Sequence, residues 1–467
     1  MDIKAFVRDP QAALKEMGLD LKEELGSELM TQAQIIKDER QRLKALKADK
    51  AEVARAFKSV ADGTSEHAEL IERMQSVSRS VKALESELKK REKYLRAALP
   101  SEQQPESKPK LPPLYQIPNS DYASAFQIFE LDAEQMDRWY QFVKAQKDAP
   151  AYCFPAWREA IQSVFGHQTR VWVAQSEAGD IVGGVPLTFF NSRLFGRFAV
   201  SVPYFNYGGV LTPYTDVARA LLKELEQVCA QEELDHIEVR TMQPELWPHK
   251  SSKKVSMVLP LPKSSQRLDE QLGAKVRAQC KKAEPYNPEI RFGATDLLDD
   301  FYRVFAINMR DLGTPVYTKK WFSELLTQPD IEATLAVVYV GNKPVSAGFL
   351  VGHNGMLEIP WASTVRSANA MDTNMWMYRQ ILDFAVRNGY EFFDFGRSTR
   401  DAGTYRFKKQ WGAQPFEHHW YYILPAGGSM PGLNPDNPKY KFLIAAWKRL
   451  PVWITKLVGP PLVKNIP

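Results

Sequence analysis

The residues best placed to do chemistry lie in one stretch, Phe392-Phe393-Asp394-Phe395-Gly396-Arg397-Ser398-Thr399-Arg400-Asp401-Ala402-Gly403-Thr404-Tyr405-Arg406-Phe407-Lys408-Lys409-Gln410-Trp411-Gly412. An apolar run ending at a glycine predicts a buried strand over 391–396. The polar segment after it is expected to turn at Gly403. Thr404 would cap a short helix that Phe407 and Trp411, four apart, anchor inward and Gly412 stops. That arrangement gathers Arg397, Arg406, Lys408 and Lys409 near one strand end. Cations around a strand-to-helix loop can hold phosphates, or the oxyanion formed when an amine attacks an ester. Asp394 and Tyr405 are the neighbouring candidates for accepting a proton. A solvated basic turn is the plainer account of any one cation.

The elements that must position this stretch occur twice. Residues 154–165 predict a helix, 169–175 and 181–190 a strand pair turning at Gly179-Asp180, 215–230 a helix and 236–241 a strand. Then 318–326 predicts a helix, 333–340 and 345–351 a pair turning at Gly341-Asn342, 356–363 a strand, 373–388 a helix and 391–396 the strand of the charged stretch. Matching order at similar spacing argues for duplicated α/β lobes, each a mixed, mainly antiparallel sheet flanked by helices. Two further segments are candidates for the cleft between them. Ser201 to Gly209 mixes aromatics with glycines and offers Tyr204 and Asn206 as substrate contacts. The basic run from Lys275 to Lys282 offers Lys275 and Arg277.

Residues 1–104 read differently. Ile36, Leu43, Lys50 and Phe57, with Leu46, Val53 and Val60, form one heptad seam. Leu70, Met74, Val77, Val81, Leu84, Leu88 and Leu95 form a second, interrupted at Arg91. With a turn at 61–65, they predict an antiparallel two-helix hairpin, each helix roughly 45 Å long. Cations outnumber acids between Arg40 and Arg96. Lys82, Lys89, Lys90 and Lys93 are the candidates for lying along a nucleic-acid backbone. Proline-rich residues 105–119 read as a spacer. The domain reading is thus an arm at 1–104, a linker at 105–119, lobes at 120–261 and 262–425, and a basic amphipathic segment at 426–467. That last segment suits packing against the second lobe or resting on an anionic membrane.

Composition sets outer limits. A chain of 467 residues exceeds what one core organises. Its net charge of +5 is too slight for a global field, so a polyanion must meet a local patch. Cys153, Cys229 and Cys280 are far apart and lack metal spacing, which suits a reducing cytosol; no metal is expected. No signal peptide or transmembrane run is read, so the expected location is cytoplasmic, with peripheral contact at the inner membrane left open.

The charged stretch resembles the C-terminal signature of the FemAB/FemX aminoacyltransferases, which carry two GNAT-like lobes and move an amino acid from aminoacyl-tRNA onto an amine. It is most similar to the branch associated with exopolysaccharide (PEP-CTERM/exosortase) gene clusters, which shares the FDFGRST and GTYRFKKQWGA strings and a segment like Asn437-Pro438-Lys439-Tyr440. The resemblance spans about residues 120 to 467. It implies tandem GNAT-like lobes, which behind the two-helix arm make an α+β protein, and a catalytic role for Lys408, which matches the lysine of the family's FK-x-x-(F/W)-G string. Arg397, with Ser398, Arg406 and Lys409, is the candidate for substrate contact, Arg397 for a phosphate or the terminal ribose. No cofactor is expected beyond aminoacyl-tRNA as co-substrate.

The N-terminal order of Met1-Asp2-Ile3-Lys4, Val7-Arg8-Asp9-Pro10-Gln11, a helix to Gly18, the hairpin and Leu99-Pro100 is similar to the tRNA-binding arm of seryl-tRNA synthetase. In that family the arm grips the long variable arm of its tRNA. The catalytic motifs of that synthetase are absent from the sequence. Together the resemblances imply transfer of serine from seryl-tRNA to an amine on a peptidoglycan precursor, a peptide or a small molecule. Two alternatives stay open. An acyl-CoA-dependent GNAT enzyme would place a glycine-bearing pyrophosphate loop where Arg366 to Asn374 has none, and a non-catalytic tRNA-binding protein would need only the arm. Oligomeric state is open as well.

Overall fold

Two long helices, α1 (Glu24–Phe57) and α2 (Ser65–Ala98), dominate the first of two compact units into which the chain divides, Met1–Pro109 and Lys110–Pro467. The computed structural model describes residues 6–7, 9–11, 24–57, 60, 64–98, 120–147, 149–193, 195–431 and 438–467. The expected N-terminal helix to Gly18, most of the 61–65 turn, the 105–119 linker and the side chain of Lys93 lie outside these.

In the first unit the heptad seams meet. Ile36, Val53, Val77, Val81, Leu88 and Leu95 are buried, and Phe6 and Val7 join Leu29, Ala33 and Ile36 in one cluster. Arg91, which breaks the second seam, is accommodated by an ion pair with Glu39 at 3.1 Å. Arg40–Glu92, Lys47–Glu85 and Arg73–Asp49, each at 2.7 Å, tie the two helices along their length. Lys82 and Lys89 are exposed, while Lys90 is taken by Glu87 at 2.9 Å. Much of the rod's positive charge is therefore balanced within the rod.

The second unit holds two seven-stranded sheets. The first contains β1 (Phe126–Glu130), β2 (Gln168–Ser176), β3 (Ile181–Ser192), β4 (Gly196–Val200), β5 (His236–Thr241) and β6 (Lys250–Ser251). The second contains β7 (Lys254–Pro260), β8 (Pro288–Gly293), β9 (Glu332–Val340), β10 (Lys343–His353), β11 (Met356–Thr364), β12 (Phe392–Thr399) and β13 (Gln414–Glu417). The last strand, β14 (His419–Ile423), returns to the first. The spatial orders are β1-β2-β3-β4-β5-β14-β6 and β13-β7-β12-β11-β10-β9-β8. Each sheet has one parallel ladder, β4 with β5 and β11 with β12, and the remaining ladders are antiparallel.

Helices α3 (Met136–Ala145) and α5 (Thr215–Gln231) serve the first sheet, while α4 (Pro155–Phe165) turns Trp157, Ala160 and Ile161 into one core cluster with Phe301, Trp321 and Phe349 of the second lobe. The second is served by α6 (Ser265–Gln271), α7 (Ala274–Lys281), α8 (Leu298–Leu312), α9 (Lys319–Thr327), α10 (Thr373–Arg387) and α11 (Gly403–Lys409). Two more, α12 (Pro438–Trp447) and α13 (Val452–Val463), end the chain. The order α4, hairpin β2–β3, β4, α5, β5 repeats as α9, hairpin β9–β10, β11, α10, β12, so the tandem α/β lobes expected from the sequence are present.

One correction concerns the boundaries. The chain does not split at 261/262 into self-contained lobes, because β7 completes the second sheet by pairing with β12, and β14 completes the first by pairing with β5. In each sheet the strand beside the parallel pair is supplied from outside its own half. That covers an edge which would otherwise present unpaired N–H and C=O groups.

The charged stretch shows local differences too. The strand runs to Thr399, the left-handed turn residue is Asp401 (φ 62°) instead of Gly403, and the helix starts at Gly403 with Ala402 before it, so Thr404 does not cap it. Gly412 (φ 96°) ends the segment as expected.

Candidate active site

The site grows from the meeting of β11 and β12. Their parallel ladder ends at the pair Glu358 and Asp394, which stand side by side. Pro360, two residues further on, has no N–H to extend a ladder. Both carboxyl groups are buried, at 4% and 0% exposure. Just beyond, β12 carries one extra residue relative to β7, between Asp394 and Arg397. Gly396 sits in that bulge at φ 76°, a conformation an L side chain resists, and its N–H donates to Asp394 Oδ1 at 2.7 Å.

The bulge also releases two carbonyls from the ladder. Lys408 on α11 donates its Nζ to the carbonyls of Gly396 and Arg397, each at 2.9 Å. Tyr405, Lys408 and Trp411 are the inward residues of the helical turn, so the ammonium is buried in the same pocket as the carboxylates.

The first lobe closes the site. The Tyr152 hydroxyl donates to Glu358 Oε2 at 2.6 Å, Asn206 Nδ2 donates to Oε1 at 3.3 Å, and Tyr207 Oη lies 3.4 Å from both Glu358 Oε2 and Asp394 Oδ2. Tyr152 stacks on Phe205 with ring centroids 4.0 Å apart, and Trp157, Trp321 and Trp361 extend the aromatic wall. Ser256 on β7 also hydrogen-bonds the Asp394 carboxyl and meets His418 Nε2 at 3.0 Å.

Electrostatics follow from burial among these partners. Glu358 is pushed up to about 8, first by burial and then by the charge of Asp394. Burial raises Asp394 to about 6, with the Gly396 N–H and Lys408 pulling back. Burial lowers Lys408 to about 8, against the attraction of both carboxyls. Near neutral pH the pair therefore holds one proton and one negative charge beside one ammonium. Burial, then Arg397 and Arg240, lowers His418 to about 3; its ring is neutral and its buried Nδ1 has no partner among the described residues.

Arg397 forms the accessible lip of the site. Its guanidinium is 5.2 Å from the Trp420 ring, and Arg240 lies 4.5 Å from the same ring. Arg240 is committed to Glu238 at 2.6 Å and to the carbonyls of Val202 and Phe205, whereas Arg397 has no ion pair among the described residues. Protein surrounds Arg397 without closing it off from water, and that environment, then Arg240, lowers it to about 10. It remains a cation with free donors.

Of the residues singled out from sequence, Asp394, Lys408, Arg397 and Asn206 come together here. Ser398 is adjacent, buried, with its Oγ unpartnered among the described residues. The others do not converge. Tyr405 packs in the second-lobe core, with Lys409 5.7 Å from its ring. Arg406 turns to the carbonyl of Asp401 at 3.0 Å. Tyr204 gives its hydroxyl to the carbonyl of Lys464 at 2.7 Å. Arg277 bonds the carbonyls of Asp269 and Leu272, and Val276 and Cys280 of that helix pack into the second-lobe core, with Lys275 exposed outside it. Sequence reading missed Glu358, Tyr152, Tyr207, Ser256 and His418. Glu358 left one signal, a carboxylate inside the apolar run Met356-Leu357-Glu358-Ile359.

A family model described as Acetyltransferase (GNAT) domain matches residues 272–409. No curated protein matches the chain. Among solved structures, FemX is similar at 14% identity over 68% of this chain and 100% of its own, with a TM-score of 0.48. A tandem GNAT protein from the clavulanic acid biosynthesis pathway has 11% identity over 64% and 97%, with a TM-score of 0.41. L-PGS from Bacillus licheniformis has 12% over 70% and 97%, with a TM-score of 0.39. These three likenesses are distant. Glu358, Asp394 and Lys408 all fall within residues 272–409, the segment that is similar to the acetyltransferase (GNAT) domain.

Proposed function

We propose that this protein is an aminoacyl-tRNA-dependent aminoacyltransferase that forms an amide between an amino acid, serine from seryl-tRNA, and an amine acceptor. The observation that carries the reading is the buried Glu358–Asp394 pair set against Lys408, with the accessible Arg397 at its mouth. An aminoacyl ester is already activated, so the protein must position the amine, take its proton and stabilise the oxyanion. The amine nitrogen bonds to the ester carbon and the ribose oxygen leaves. The proton lost by the amine ends on that oxygen, relayed by the carboxyl pair, which already shares one. Lys408 has two N–H groups on carbonyls and a third left for developing negative charge. Arg397 would hold a phosphate or the terminal ribose.

The family match by itself also suits an acyl-CoA donor. The place where a diphosphate nest would stand argues for tRNA instead: residues 366–371 form a 3-10 turn without glycine, and Arg366 is drawn to the carbonyl of Asp311 at 2.7 Å. The arm's likeness to the synthetase module supports seryl-tRNA in particular, and a cytoplasmic location follows from that donor. The test offers labelled seryl-, alanyl-, glycyl- and leucyl-tRNA, and acetyl-CoA, to the full chain and to a chain lacking residues 1–104, with a panel of amines. Preferential use of seryl-tRNA that vanishes with the arm supports the reading. Equal use of all four aminoacyl-tRNAs defeats the serine claim, and turnover of acetyl-CoA alone defeats the tRNA claim.

A further inference from the structure

Helix α13 is built inside out. Its inward residues, four apart, are Thr455, Gly459 and Val463, and the fit is close: a Cβ on Gly459 would stand 2.8 Å from the main-chain nitrogen of Val316. Its large apolar residues face water, with Trp453 68%, Leu457 70% and Val458 42% exposed. In α12, Leu443 (61%) and Ile444 (39%) add to that outward surface. Burial in the body cannot account for this arrangement, because large apolar side chains are stabilised by leaving water and these do not leave it.

Charge indicates what would cover the surface. Residues 438–467 contain Lys439, Lys441, Lys448, Arg449, Lys456 and Lys464 and no acidic residue. Lys448, Arg449 and Lys456 are exposed among the apolar groups. Lys456 lies 5.2 Å from the Tyr302 ring, and the nearby Asp299 is paired with Lys319. Tryptophan and leucine interleaved with cations, without acids, is the composition of segments that lie in a lipid interface. Among the described residues no helix is long and apolar enough to cross a membrane, so the segment would lie on the bilayer.

We infer that the outward face of α12 and α13 docks on an anionic lipid bilayer. The platform is fixed to the enzyme body: Arg310 donates to the carbonyl of Leu450 at 3.1 Å, and the carbonyl of Lys464 meets both the Tyr204 hydroxyl and His167 Nε2 at 2.7 Å. Tyr204 in turn lies beside Tyr317 in the aromatic cluster near Arg397. The inference is independent of which donor or acceptor the transferase uses.

The test is sedimentation of the full chain with vesicles of phosphatidylcholine mixed with phosphatidylglycerol, and with vesicles of phosphatidylcholine alone. Binding to the mixed vesicles should be tighter by roughly fivefold for each cation engaged. Replacing Trp453, Leu457 and Val458 together by Ser leaves every cation in place and removes only outward side chains. It should weaken partitioning by about tenfold or more with an unchanged thermal melt. Three results would overturn the inference: no binding of the full chain to the mixed vesicles; equal binding by the triple variant, which would assign any binding to charge elsewhere; or a triple variant that loses self-association or RNA binding while vesicle binding is unmoved.

Discussion

Replacing Glu358 by Gln should change how the stability of this protein depends on pH, in a direction the structure fixes. Gln keeps the shape and an oxygen for the Tyr152 hydroxyl, and it removes a carboxyl that burial and Asp394 push from 4.5 to about 8. A raised carboxyl binds its proton more tightly folded than unfolded. Its stabilising contribution is complete below about pH 4.5 and is lost as pH climbs towards 8, at about 1.4 kcal/mol per pH unit. Between pH 5 and pH 7.5 the loss comes to about 3 kcal/mol, an upper figure because Asp394 shares the same repulsion. His167, His236, His353, His418 and His419 are held neutral by burial and pull the other way, gaining stability as pH rises through their ordinary value. The readout is therefore the difference between the two proteins. In thermal or urea melts from pH 5 to pH 8.5, Glu358→Gln should gain on the parent steadily as pH rises, by a few degrees in all. A difference that stays flat across that range would refute the protonated carboxyl pair.

Other substitutions probe the remaining parts of the site. Lys408→Met keeps the volume and removes the ammonium; transfer should fall by about a hundredfold or more, and the melt should drop because the carbonyls of Gly396 and Arg397 lose their donor, at about 1–3 kcal/mol. Arg397→Met, at an accessible cation without an ion pair among the described residues, should raise KM for the proposed aminoacyl-tRNA donor about tenfold or more with little change in kcat or melting. Gly396→Ala forces an L side chain to φ 76° with its Cβ 3.4 Å from the Ile359 carbonyl; denaturant titration should show a loss of about 1–2 kcal/mol and kinetics a displaced Asp394.

Local pattern was legible in the sequence wherever one segment carried its own signal. The strand His236 to Thr241 and the 373–388 helix lie within a residue of where periodicity puts them, and both hairpins turn at the expected Gly179 and Gly341 positions. The exchange of β7 and β14 was not legible, because the alternating pattern of a strand says which face is buried and nothing of which sheet it joins. The site shows the same divide. Asp394 and Lys408 share one continuous motif, so their nearness was readable; Tyr152, Tyr207, Ser256 and His418 reach the carboxyls from elsewhere in the chain, and a lone tyrosine or histidine in an apolar setting reads as core. Arg406 and Tyr204 direct their polar atoms away from the carboxyl pair for the complementary reason. A polar side chain near a motif is free to satisfy itself on a local carbonyl, as both do.

Because β14 comes from residues 419–423 and sits between β5 and β6, the first sheet stays a strand short during synthesis until those residues, past the whole second lobe, have left the ribosome. Neither half can serve as a cassette to be cut out, shuffled or expressed alone without baring a long hydrogen-bonding edge. A tandem duplication stitched together in this way inherits new chemistry as a single unit.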